Sequence, residues 1–192
     1  DGSGERGNLG AVIRAILPRR TKFSRKAPGK CAEEQVIACN VDAVVVVTDP
    51  GEDFNIRRLE RFHALIARSG AVPVVLINKS DLHDRVRLSE CAEAVEALGD
   101  DMRVYIISAL SDEGTEVLRG YLEGNRTLAL CGSSGVGKST LVNSLLGEDY
   151  QWTSEVNDVT GKGRHTTVSR ELVMVPGGGM IIDNPGIREV QM

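Results

Sequence analysis

The chain has 192 residues, of which 26% are charged and 41% hydrophobic, and its formal net charge is −4. This length suits one complete α/β domain with a small extension, and the composition is that of an ordinary globular protein. The longest apolar runs, residues 43–47 and 71–77, are too short to span a bilayer, and no secretory signal opens the chain. We therefore expect a cytoplasmic protein with no membrane partner.

Residues 1–34 are predicted to form an extension without a core of its own. We expect a short strand over residues 11–17 and an irregular linker over residues 21–30, where Pro28-Gly29 interrupts any regular pattern. Residues 14–30 carry seven of the 23 basic residues and none of the 27 acidic ones. This concentration of positive charge in an acidic chain indicates contact with a polyanion, with a solvated connector as the alternative.

From residue 35 onward, short apolar runs alternate with helical periods. Strands are predicted over residues 43–47, 72–77, 104–107 and 127–131, and helices over 54–66, 89–98, 116–122 and 138–146. Asp53 and Ser89 are the expected N-caps of the first two helices, and Gly99 is a stop signal after the second. Residues 171–175 and 180–183 are predicted to form a hairpin. The alternation predicts an α/β fold, with helices on both faces of a mostly parallel sheet that includes one antiparallel strand.

Asn78-Lys79-Ser80-Asp81 follows the predicted strand 72–77 and has the pattern of a guanine-base specifier. The Asp81 carboxylate can accept hydrogen bonds from the ring N–H and the exocyclic amine of guanine, whereas adenine offers no such pair. A site that relies on polar pairing can reject such an analogue by roughly 10⁴-fold. We expect the Lys79 stem to lie over the base and Asn78 to brace neighbouring loops. Ser108-Ala109 follows the third strand and matches the loop whose backbone N–H meets the guanine carbonyl oxygen.

Residues 132–139 match the phosphate-loop pattern GxxxxGK[ST] without a mismatch, between a predicted strand and a predicted helix. Glycines let successive N–H groups converge on phosphate oxygens, and the helix adds its positive N-terminal dipole. We expect Lys138 to reach the outer phosphates and the Ser139 hydroxyl to bind Mg²⁺. The residues assigned to nucleotide binding in this loop are Ser134, Gly135, Val136, Gly137, Lys138, Ser139 and Thr140.

Asp183-Asn184-Pro185-Gly186 follows an apolar strand, as a DxxG motif does. Asp183 would hold Mg²⁺ through a water, and the Gly186 N–H would sense the γ-phosphate. A threonine between the two phosphate motifs, Thr166 or Thr167, would complete the metal shell only while the γ-phosphate is present. We favour Thr167, although the residues themselves do not decide between the two.

The base specifier precedes the phosphate loop, which reverses the usual order of these motifs in a GTP-binding domain. With this circularly permuted order the chain resembles the permuted GTPases of ribosome assembly, and within them the YjeQ/RsgA family. The closer resemblance rests on the base specifier and on residues 24–28, 34–38, 40–42, 54–61, 161–167 and 176–179.

This resemblance implies a switch that binds GTP or GDP with Mg²⁺, hydrolyses GTP and acts in small ribosomal subunit assembly. It implies a GTPase domain over residues 35–192, with residues 1–34 as the last piece of an OB-type barrel plus a basic linker. The family's zinc-binding domain would follow, and zinc is expected only there. The implied partners are the small ribosomal subunit and its rRNA, because phosphate contacts favour Lys and Arg. We also expect a monomer.

Ile187 stands where many GTPases carry a glutamine that orients the attacking water. We therefore predict slow intrinsic hydrolysis, accelerated when a partner orders the loop around Thr167. His165 is the internal candidate for positioning the water, and its alternative is a loop residue without a catalytic role. Two other functions remain open: a large-subunit assembly GTPase of a related permuted family, and an RNA-binding assembly module with a structural nucleotide.

Overall fold

A computed structural model of the chain describes residues 13–26, 34–147 and 171–184. These residues contain eight strands and four α-helices. The strands are β1 (Lys22–Lys26), β2 (Glu34–Cys39), β3 (Ala43–Thr48), β4 (Val72–Ile77), β5 (Arg103–Ile106), β6 (Thr127–Cys131), β7 (Glu171–Met174) and β8 (Met180–Asp183). The helices are α1 (Ile56–Ser69), α2 (Arg85–Glu96), α3 (Val117–Leu122) and α4 (Lys138–Leu146), and Ser80–Leu82 forms a short 3-10 turn.

Six of the strands form one sheet in the order β5-β4-β3-β6-β8-β7. The first five are mutually parallel, and β7 pairs with β8 in the antiparallel sense as the predicted hairpin. All six residues of β3 are buried, as expected for a β-branched strand near the middle of a sheet that is covered on both faces. The predicted α/β fold class is confirmed.

Two apolar layers flank the sheet, because successive side chains of a strand point to opposite faces. Val44 and Val46 pack on one face with residues of α1 and α2. Val45 and Val47 pack on the other face with residues of α3 and α4. The helices therefore cover both faces and leave the carboxyl ends of the parallel strands free to carry a site.

The predicted caps of the first two helices are wrong. Asn55 caps α1 through its side-chain oxygen, which accepts from the Arg58 N–H at 3.0 Å, whereas the Asp53 carboxylate is engaged by the Arg58 guanidinium. Asp84 caps α2 at the Arg87 N–H (2.8 Å), so this helix starts before Ser89, which bonds to Glu93 inside it. Gly99 lies beyond the end of α2 at Glu96. In both helices the residue directly before the first turn, Asn55 or Asp84, supplies the side-chain oxygen that accepts from a free N–H group.

The N-terminal prediction is also wrong where the structure describes it. Residues 13–17 are not a strand, and the predicted irregular linker contains β1, which pairs antiparallel with β2. Phe23 of β1 is fully buried in the apolar cluster that contains α1. The proposed domain boundary at residue 35 thus falls inside β2, whose partner β1 lies before it. Strand β1 could not be predicted from the sequence, because all its residues except Phe23 are polar or basic.

None of the helices in residues 13–26, 34–147 and 171–184 is long and apolar enough to cross a membrane.

Candidate functional site

Five parallel strands end at one edge of the sheet, and the predicted motifs lie there. The base specifier follows β4, Ser108-Ala109 follows β5, the phosphate loop follows β6 and Asp183 ends β8. Ligands of open α/β sheets bind at this carboxyl edge, near the position where successive strands begin to be added on the other side of the first one. The base specifier and the phosphate loop, which are far apart in the chain, are therefore neighbours in space.

The phosphate loop depends on glycines at two crowded points. A Cβ atom on Gly132 (φ +145°) would lie 2.4 Å from the Val47 carbonyl oxygen, and one on Gly137 (φ +100°) would lie 2.2 Å from Asn78 Nδ2. A side chain at either position would collide with β3 or with the base specifier, besides the strain of a positive φ. Ser134, Gly135, Ser139 and Thr140 are exposed on the loop and Val136 is buried beneath it.

The Lys138 ammonium is folded against the start of this loop. Its Nζ donates to the carbonyl oxygens of Gly132 and Ser133, both at 2.9 Å, and the residue is 8% exposed. Burial lowers the pKa of Lys138, and the nearby Asp183 carboxylate opposes this change. A partly solvated positive charge beside several backbone N–H groups favours the binding of an anionic ligand.

Asn78 joins the two halves of the site. Its Nδ2 donates to the carbonyl oxygen of Val136 in the phosphate loop (2.7 Å), and its Oδ1 accepts from the Ala109 N–H (2.9 Å). The side chain is 2% exposed, so both bonds are shielded from water. Asn78 therefore ties the loop after β5 to the loop after β6, the bracing expected from the sequence.

Asp81 and Lys79 are each oriented by a partner. The Ser108 hydroxyl donates to Asp81 Oδ1 at 2.6 Å, which leaves Oδ2 and the second lone pair of Oδ1 of this exposed residue free to accept from a ligand. Lys79 adopts a left-handed backbone (φ +63°), and its ammonium pairs with Asp49 Oδ2 at 3.0 Å. Burial alone would raise the pKa of Asp49, but hydrogen bonds from Lys79 and the Gly51 N–H outweigh it and hold the pKa below its usual value.

Asp183 carries an unsatisfied group that fits a metal site. The residue is 5% exposed, and its Oδ1 has no hydrogen-bond partner among the described residues. Burial raises the pKa of Asp183, and the Lys138 charge lowers it in turn. Leaving a buried carboxylate oxygen unpaired costs free energy unless a ligand completes its environment. The exposed Ser139 hydroxyl in the first turn of α4 is the second oxygen suited to Mg²⁺.

Sequence reasoning missed a third component, the pair Asp53 and Arg58. The Arg58 guanidinium binds Asp53 Oδ2 at 2.7 Å and, through Nη1, the Ser133 hydroxyl of the phosphate loop at 2.8 Å. No local sequence signal points to this pair, because it depends on β3 and β6 being neighbours in the sheet, which brings the start of α1 to the phosphate loop. The predicted residues His165, Thr166, Thr167, Gly186 and Ile187 lie outside the described residues.

A phosphate loop after β6 and a base-specifier motif after the earlier strand β4, on this sheet, define a circularly permuted GTPase domain. Residues 16–192 match the model of the family described as RsgA GTPase. The chain belongs to this RsgA GTPase family.

Individual relatives agree with this membership. A protein of Methanosarcina acetivorans named small ribosomal subunit biogenesis GTPase RsgA is 49% identical over 180 residues, which are 92% of this chain and 47% of that protein. A protein of the same name from Streptomyces coelicolor is 44% identical over 187 residues, which are 97% of this chain and 51% of that protein. The chain thus spans about half the length of the curated relatives that it matches.

Two solved structures have the same fold. The crystal structure of YjeQ from Thermotoga maritima superposes with a TM-score of 0.63 at 26% identity, over 91% of this chain and 54% of that one. The structure of YloQ, described as a circularly permuted GTPase, gives a TM-score of 0.53 at 20% identity, over 97% of this chain and 61% of that one.

Proposed function

We propose that the chain is the nucleotide-binding part of a GTP-hydrolysing switch that acts in the assembly of the small ribosomal subunit. One observation carries the proposal: Asn78 of the base specifier is hydrogen-bonded to the phosphate loop and to the loop after β5. The three loops therefore face one ligand. Relatives named as small-subunit biogenesis GTPases support the biological role.

The base half of the site would select guanine. Asp81, oriented by Ser108, accepts from the ring N–H and the exocyclic amine, and the Lys79 stem covers the base while Asp49 holds its ammonium. We assign the guanine carbonyl oxygen to the N–H of Leu110, because the neighbouring N–H of Ala109 is taken by Asn78. Adenine would leave the Asp81 carboxylate without its donors, which is a strong basis for rejection.

The phosphate half would bind the di- or triphosphate. Backbone N–H groups from Ser134 to Ser139 surround the phosphates, the dipole of α4 adds to them, and Lys138 neutralises the outer charges. Ser139 and Asp183 would hold Mg²⁺, with Thr167, or its neighbour Thr166, as a further ligand. Mg²⁺ held by these residues would neutralise part of the phosphate charge.

Hydrolysis would depend on the partner. The N–H of Gly186 would sense the γ-phosphate, and His165 would position the attacking water, since Ile187 has no group that can exchange a proton. Docking on the subunit would order the segment around Thr167 and thereby accelerate the reaction. The exposed Arg14, Arg19 and Arg20 are the basic side chains that we assign to rRNA phosphates.

The test is multiple-turnover phosphate release from GTP by the complete protein, with and without purified small subunits and with large subunits as the control. We expect slow release alone and a rise of at least about tenfold with small subunits only, well below the roughly 10³- to 10⁵-fold that an activating partner can supply to a GTPase. Equal stimulation by large subunits would contradict the assigned partner. Release that stops after one turnover under every condition would support a structural nucleotide instead.

A further inference from the structure

The loop that joins β3 to α1, residues 49–55, passes both halves of the site. At its start, Asp49 holds Lys79 of the base specifier, and at its end Asp53 holds Arg58 beside the phosphate loop. Arg87 of α2 supports the middle of the loop, because its Nε donates to the Pro50 carbonyl oxygen at 3.0 Å and its guanidinium lies 5.4 Å from the Phe54 ring centroid. This segment is therefore fixed at several points.

Arg58 is anchored before it reaches the phosphate loop. Its Nη2 binds both the carboxylate and the carbonyl oxygen of Asp53, and Thr48 Oγ1 donates to the same carboxylate oxygen at 3.2 Å. The side chains of Arg58 and Asp53 are 13% and 15% exposed. Nη2 thus bonds to two oxygens of the same residue, and an ion pair of such low exposure is weakly screened by salt.

Ser133 connects Arg58 to the phosphate-binding lysine. Its hydroxyl accepts from Arg58 Nη1 at 2.8 Å, and its carbonyl oxygen accepts from Lys138 Nζ at 2.9 Å. The Arg58 guanidinium thus holds the side chain of Ser133, and the backbone carbonyl of Ser133 orients the Lys138 ammonium.

We propose that Arg58 is a positioning residue that fixes Ser133 and, through it, the Lys138 ammonium for the outer phosphates of the nucleotide. This inference rests on the proposed function of the site. Arg58 also keeps the Asp53 carboxylate occupied. Without the guanidinium, that carboxylate would keep only the Thr48 hydroxyl as a side-chain partner among the described residues, and an underpaired carboxylate of low exposure is unfavourable.

The test is a double-mutant cycle of Arg58→Ala and Ser133→Ala in the complete protein, measured as GDP affinity by titration. Each single change is expected to weaken GDP binding roughly tenfold, the range for hydrogen bonds that involve a charged group. The double variant should bind GDP no more weakly than whichever single variant binds it less tightly, because both changes break the same series of contacts from Arg58 through Ser133 to Lys138. The ³¹P resonance of the β-phosphate of bound GDP should shift in both single variants.

Arg57→Ala is the matched control, since Arg57 is the exposed neighbour on the same helix. It should leave GDP affinity and the ³¹P spectrum unchanged. Wild-type affinity in Arg58→Ala, or losses that multiply in the double variant, would overturn the inference. If Arg58→Ala does not fold, Ser133→Ala tests the same hydrogen bond. Wild-type GDP affinity in Ser133→Ala would then overturn the inference. If the unmodified protein binds no GDP, the proposed function fails and takes this inference with it.

Discussion

Asp81→Asn is expected to change the preference of the site from guanine to xanthine nucleotides. The substitution replaces a carboxylate that accepts two hydrogen bonds with an amide that accepts on one side and donates on the other. Xanthine carries a carbonyl where guanine carries its exocyclic amine, so the new N–H gains a partner. GDP affinity should fall at least about 100-fold, because the amide N–H faces the exocyclic amine of guanine and one hydrogen bond is lost, while the bond from the ring N–H no longer has a charged acceptor.

The measurement is competition of GDP and XDP against a fluorescent nucleotide, for the variant and the unmodified chain. The amide oxygen can still accept from the Ser108 hydroxyl, so the local fold should persist. Asp100→Asn is the matched control, because Asp100 is an exposed aspartate away from the site. An Asp81→Asn variant that keeps its preference for GDP over XDP would show that Asp81 does not read the base.

Lys138→Ala should remove most of the affinity for nucleotide. The ammonium is the principal side-chain charge of the phosphate loop, and its buried position makes its interaction with phosphate stronger than it would be in water. We expect GDP affinity to fall about 100-fold or more, on the scale of charge-assisted hydrogen bonds that lose one partner. The loss should be larger for GTP, whose γ-phosphate adds negative charge.

The loss is measured by calorimetric titration with GDP and with a non-hydrolysable GTP analogue. Lys22→Ala provides the control for removal of one positive charge, since Lys22 pairs with Glu34 at the surface, far along the chain from the phosphate loop. GDP affinity in Lys138→Ala that equals the unmodified value would refute the phosphate-loop assignment.

The central sheet and the motifs at its edge could be predicted because their signals are local. A run such as residues 43–47 is apolar and β-branched, which suits a strand buried on both faces. The phosphate loop and the base specifier each lie within a few consecutive residues, and the topology of parallel strands then brings their ends together. Even the distant bridge from Asn78 to Val136 follows from this rule.

The features that could not be predicted depend on contacts between distant residues. Strand β1 is a basic segment whose one large apolar side chain, Phe23, becomes buried only when α1 is in place. The role of Arg58 requires that β3 and β6 be neighbours, which brings α1 to Ser133 across 75 positions of sequence.

The cap predictions failed for smaller reasons. Asp53 and Asn55 both stand near the start of α1, and only the backbone geometry selects Asn55. Helix α2, in contrast, starts at Arg85 and therefore already contains the predicted cap Ser89.

The most direct test of the account is the ratio of GDP to ADP affinity for the unmodified chain in the presence of Mg²⁺. If the guanine-reading loop and the phosphate loop, in permuted order, form one site, GDP should bind more tightly than ADP by roughly 10⁴-fold, because ADP leaves the Asp81 carboxylate without its donors. Comparable affinities for the two nucleotides would contradict a single site of this kind.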